Sequence, residues 1–110
     1  MNFSDLGKMK EMMSQAKVMQ EQMEQKLSST VVEAEAGAGM VRVRMNGKKE
    51  LLKLRIDPSA VSGLSSGPQD VEMLEDLIVA AVNDAGRKAE EALQGQLKGM
   101  LGGLNLPGLG

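Results

Sequence analysis

The side chains in this sequence best suited to chemistry are cations. Between Met40 and Ile56, Arg42, Arg44, Lys48, Lys49, Lys53 and Arg55 stand against Glu50 alone, a local balance of +5. Arg42, Arg44, Lys53 and Arg55 alternate with apolar residues, which places them on one face of paired strands. Guanidinium and ammonium groups collected in that way suit phosphate, although an ordinary solvated strand face has the same pattern. Lys8, Lys10, Lys17 and Lys26 pose the same choice near the N-terminus: phosphate contacts, or the charge-laced outside of a solvated helix. Arg87 and Lys88 form a third basic spot. They lie in a stretch where Asp70, Glu72, Glu75, Asp76, Asp84, Glu90 and Glu91 leave a local balance of −5. The net charge is only −2, yet blocks of opposite sign let an acidic chain bind anions locally.

Other chemistries are poorly supplied. The 110 residues include no cysteine and no histidine. Disulfides, thiolate metal sites and the commonest general acid/base are therefore missing. Glu33 and Glu35 share a strand face, and Glu75 and Asp76 are adjacent. Neither pair comes with a base, nucleophile or anion-stabilising partner that defines a reaction. Gly37 and Gly39 lie between two strands, so they do not form the strand-to-helix loop that cradles phosphates. The expectation is a protein that is not an enzyme, with no cofactor, metal or small-molecule substrate. Phe3 is the one aromatic, against ten methionines. A base-stacking platform for single strands is thus unavailable. The methionines suit an adaptable core and helix seam, or a peptide groove. No basic-then-apolar leader and no apolar run of ~20 residues is present, so a soluble, cytoplasmic protein without a membrane partner is expected.

These side chains need elements to hold them. Ser4 to Ser29 reads as a helix. Leu6, Met13, Gln20 and Leu27 fall at one heptad position and Met9, Ala16, Met23 and Thr30 at the other, with Met12 and Met19 widening the stripe. Met9, Met13, Ala16, Met23 and Leu27 are the expected seam against another helix. Ser4 caps the start. Thr30–Ala36, Met40–Met45 and Leu51–Ile56 alternate with period two and read as strands. Asn46-Gly47 predicts a tight hairpin with φ > 0 at both residues. Leu52, Leu54 and Ile56 point inward. Asp57-Pro58-Ser59 ends the third strand, and Ala60–Gly67 reads as a loop. Ser66 with Gln69 makes a capping box, with Asp70 as its rival. From Asp70 to about Lys98, apolar residues recur at steps of three and four, marking a second helix interrupted at Gly86. The domain therefore covers residues 1–98, and 99–110 form a flexible Gly/Leu-rich tail.

The fold class is α+β, a helix, a three-stranded antiparallel meander and a helix. Helices of about 26 and 29 residues span ~39 and ~44 Å, whereas six-residue strands span ~20 Å. Both helices overhang the sheet, and an overhanging apolar stripe needs cover. A second copy is the simplest cover, giving a homodimer with long projecting helices.

Two stretches resemble the YbaB/EbfC family. The first is Gly37-Ala38-Gly39-Met40-Val41-Arg42-Val43 leading to Met45-Asn46-Gly47, followed by Ile56-Asp57-Pro58-Ser59. The second is Glu72-Met73-Leu74-Glu75-Asp76-Leu77, continuing through Ala80-Ala81-Val82-Asn83-Asp84-Ala85. The Met/Gln-rich first helix and the Gly/Leu/Pro tail are similar too. Gly86 departs from the pattern, since many members carry Ala there. The resemblance implies a bacterial, nucleoid-associated homodimer. Its helices project like tweezer arms and bind duplex DNA with low sequence specificity, in nucleoid organisation or gene regulation. Under that expectation Lys8, Lys10, Lys17, Lys26, Arg42, Arg44, Arg87 and Lys88 contact phosphates. The acidic final helix restricts such contacts to arm tips and basic patches. The rival is a structural or chaperone-like module whose Met-rich groove takes apolar helices or peptides.

Overall fold

A computed structural model describes residues 3–64 and 67–103. The chain runs α1 (Phe3–Ser29), β1 (Val31–Ala36), β2 (Val41–Asn46), β3 (Leu51–Ile56), α2 (Pro58–Ser62) and α3 (Pro68–Gly103). The three strands form one antiparallel sheet in the order β1-β2-β3. This is the expected α+β order with one short helix added.

The core lies between α3 and two of the strands. Alternation on β1 and β2 points Ala34, Val41, Val43 and Met45 to one side, where all four are buried. Ala81, Ala85 and Ala89 recur every fourth residue on α3 and are fully buried against them. Three small side chains in a row let the helix lie close to the sheet. Leu74, Leu77, Ile78 and Val82 widen the contact. α3 packs mainly on β1 and β2, and Ile56 at the end of β3 joins the margin of that core. Leu52 and Leu54 are expected inward. Leu54 pairs with buried Val43 on the core side yet is 38% exposed, and Leu52, skipped by the register shift, is 51% exposed. A bulge between Arg44 and Met45, at Leu51–Leu52, locally offsets the pairing.

Other expectations change. First, Asn46-Gly47 does not adopt the two-residue turn; positive φ falls instead on Lys49, at 65°. Gly47, Lys48 and Lys49 form a three-residue loop, with Lys49 N donating to Asn46 O at 3.0 Å and Asn46 N to Glu50 O at 3.0 Å. The cause is the buried Asn46 side chain. Its Oδ1 accepts from Lys48 N and Glu50 N, and its Nδ2 donates to Glu50 Oε1. Second, residues expected in the 60–67 loop contribute to α2, because Asp57 caps Pro58–Ser62 by accepting from Ser59 N. Third, α3 begins at Pro68, so Asp70 lies in its first turn rather than before it; Ser66 is outside the described residues. Fourth, α3 continues to Gly103, five residues past the expected boundary at Lys98. The remainder of the proposed tail, 104–110, is outside the described residues. At the other end α1 is already helical at Phe3, before Ser4.

Gly86 does not interrupt α3, and a Cβ built there meets nothing within 4 Å. Gly86→Ala is therefore expected to stabilise the chain by about 1 kcal/mol through lower unfolded-state entropy, read as a raised urea midpoint at unchanged slope.

The molecule measures 74 × 29 × 19 Å with a radius of gyration of 21.4 Å. A compact chain of this length has about 13 Å. The excess comes from two long helices, α3 at about 54 Å and α1 at about 40 Å, and α1 touches the body near its C-terminal end. There Leu27 is buried, and Gly47 N donates to Leu27 O at 2.8 Å and Thr30 O at 2.9 Å. Gln96 of α3 adds a hydrogen bond to Thr30 Oγ1.

Candidate nucleic-acid interface

The strand register assembles the cationic face. Glu33 sits opposite Arg44 and Glu35 opposite Arg42 across β1–β2. Arg42 sits opposite Arg55 and Arg44 opposite Lys53 across β2–β3. The opposed carboxylates are used: Arg44 Nε bonds Glu33 Oε1 at 2.7 Å, and Arg42 Nε lies 3.5 Å from Glu35 Oε2. Lys53 and Arg55 have no acidic partner within 4 Å among the described residues, and both are exposed. Lys88 reaches past the β1 edge to donate to Glu33 O at 2.8 Å. A shallow groove on this face is lined by Glu33, Glu35, Arg42, Arg44, Lys53, Arg55 and Lys88.

Asp57 lines a second cleft with Gly39, Arg42, Arg55 and Pro58. Hydrogen bonds from the Ser59 hydroxyl and amide, then the charges of Arg42 and Arg55, hold its carboxyl below the usual 3.8. A depressed folded-state pKa contributes stability at neutral pH that is lost as pH falls through that pKa. Asp57→Ala is thus expected to be less stable than the parent at pH 7, with the gap narrowing below pH ~4 in paired thermal melts.

The eight predicted phosphate contacts divide into two sets. Arg42, Arg44, Arg87 and Lys88 belong to the body and are engaged, with Arg87 3.4 Å and Lys88 4.0 Å from Asp84. Lys8, Lys10, Lys17 and Lys26 lie along α1, and none has an acidic partner within 4 Å among the described residues. By helical geometry Lys10 and Lys17 share one side, and Lys8 and Lys26 lie roughly opposite, so the two pairs flank the methionine stripe. Lys53 and Arg55 complete the sheet face, and their alternation was the visible signal for them. What alternation did not show was which basic residues are already paired.

The expected seam also divides. Met9, Met13 and Ala16 are exposed, Met13 at 72%. Met23 is half-buried and shares a cleft with Gln96 and Met100 of its own chain. Leu27 is buried against the β2–β3 hairpin of its own chain, because the Gly47 amide draws the end of α1 onto the loop. No helix among the described residues is long and apolar enough to cross a membrane.

Residues 6–104 match the YbaB/EbfC DNA-binding family. A nucleoid-associated protein of Acidobacterium capsulatum is 67% identical over 100 residues, 91% of this chain and 93% of that one. A nucleoid-associated protein of Koribacter versatilis is 51% identical, over 89% and 92% of the two chains. The crystal structure of an uncharacterized Helicobacter pylori protein superposes with a TM-score of 0.68 at 31% identity, covering 92% and 98%.

Proposed function

The chain belongs to the YbaB/EbfC DNA-binding family, and from that premise we propose that it acts on the bacterial nucleoid as a homodimer that grips duplex DNA with little sequence discrimination. The observation that carries the dimer is the unfinished apolar surface. Leu52 and Leu54 on β3 and Leu6, Met9, Met12, Met13 and Met19 on α1 are all exposed in one chain. Stripes that long need a partner, and β3 is an edge strand with backbone groups free to pair. The β1 edge is obstructed by Lys88 on Glu33 O. A two-fold copy meeting at β3 covers both leucine pairs and sets the α1 arms to project from a common body.

The arms then offer lysines flanking an apolar seam. Ammonium groups on phosphates supply affinity by counterion release and read no bases. Binding of a fluorescent duplex at several salt concentrations tests this. A steeply negative slope of log K against log salt is expected. A flat isotherm, or no binding at micromolar dimer, rejects it. Lys10→Glu with Lys17→Glu is expected to weaken duplex binding tenfold or more. The exposed methionines favour one rival, an apolar peptide groove. That reading predicts unchanged peptide capture by the double variant and no duplex binding by the parent.

A further inference from the structure

We propose that the outward face of the sheet is a second docking surface for duplex DNA, separate from the arms. On it Lys53 and Arg55 take phosphates directly, while Glu33 and Glu35 act as internal counter-ions to Arg42 and Arg44. The inference rests on the DNA-binding reading above and deepens it. Its first ground is the ladder. Arg42 faces Arg55 and Arg44 faces Lys53 directly across the strands, and like charges so opposed are destabilising. Two such rungs in succession keep four cations within a patch about 5 Å by 7 Å. A polyanion offsets that repulsion.

The second ground is what surrounds the patch. Among the described residues no element packs on it, since α3 lies on the opposite side of the sheet. Lys88 lines the same groove, so five cations meet Glu33 and Glu35, and Asp57 lines a second cleft with Arg42 and Arg55. Asp57 is committed to Ser59. Glu33 and Glu35 each hold one arginine, leaving the β3 cations as the uncommitted charge. The third ground is shape. A major groove about 12 Å wide admits a helix or a two-stranded ribbon. A three-stranded face is wider, so it lies across the sugar–phosphate backbone, where contacts position without reading sequence. A dimer joined at β3 brings the Lys53 and Arg55 pairs of both chains to the middle of one surface.

The test compares the parent with K53Q/R55Q and E33Q/E35Q by anisotropy of a labelled duplex across a salt series, with K10Q/K17Q as reference. K53Q/R55Q is expected to bind about tenfold more weakly, with a slope shallower by about 1.8 for each engaged chain. E33Q/E35Q is expected to bind threefold or more tightly, because Arg42 and Arg44 are released. A gain of affinity cannot arise from failure to fold. Parent-like affinity and slope in K53Q/R55Q, or unchanged or weaker binding by E33Q/E35Q, overturns the sheet surface while leaving the arms in place. Absence of duplex binding by the parent removes the DNA-binding reading and this surface with it.

Discussion

Leu52→Asp combined with Leu54→Asp is expected to separate the two copies and lower the melting temperature by the dimer's contribution. Both leucines lie exposed on β3, whereas α3 packs mainly on β1 and β2. In the single chain the substitutions would cost little, since both positions already meet water. In the proposed dimer four leucines are covered. Completing their burial is worth on the order of 1 kcal/mol each. Four carboxylates placed in that seam add a penalty of several kcal/mol per ion. The sum is enough to dissociate the pair into single chains, whose carboxylates stay in water. Circular dichroism with solution mass reads the result. A double variant that stays folded and dimeric places the second copy elsewhere.

The second large effect is expected at Gly47. A Cβ there lies 2.9 Å from both Leu27 O and Leu27 Cδ2. The carbonyl is the one accepting from Gly47 N, so it cannot move away without breaking the bond that roots α1. Gly47→Val forces the hairpin and the arm apart. Overpacking of about 1–3 kcal/mol combines with loss of one or two hydrogen bonds worth about 1 kcal/mol each. A melting temperature lower by more than 10 °C is expected for this chain length at ~4–8 °C per kcal/mol. Increased protease cleavage within Phe3–Ser29 should accompany it. A variant melting within 3 °C of the parent would show that α1 is rooted by something other than this contact.

Much of this was legible in the residues. Alternation set the faces of β1 and β2, and steps of three and four set the buried alanines of α3. The heptad stripe on α1 foretold an arm without cover. The losses have physical causes. Periodicity says which way Leu52 and Leu54 point but not whether a helix lies above them. Asn46-Gly47 misled because the asparagine side chain bonds to two amides and a glutamate, stabilising a longer loop. Gly99, Gly102 and Gly103 suggested a break, yet α3 carries all three. The pairing of Arg42 and Arg44 depends on β1–β2 register, which the sequence of either strand alone does not specify.

The central claim is that one chain is half of a phosphate-gripping unit, and sedimentation equilibrium with a short labelled duplex addresses it directly. At micromolar chain and low salt, the account predicts a complex of one duplex with at least two chains. Raising the salt should release free duplex and a protein species of twice 11.7 kDa. A folded species of 11.7 kDa at every salt concentration, with the duplex sedimenting alone, would contradict it.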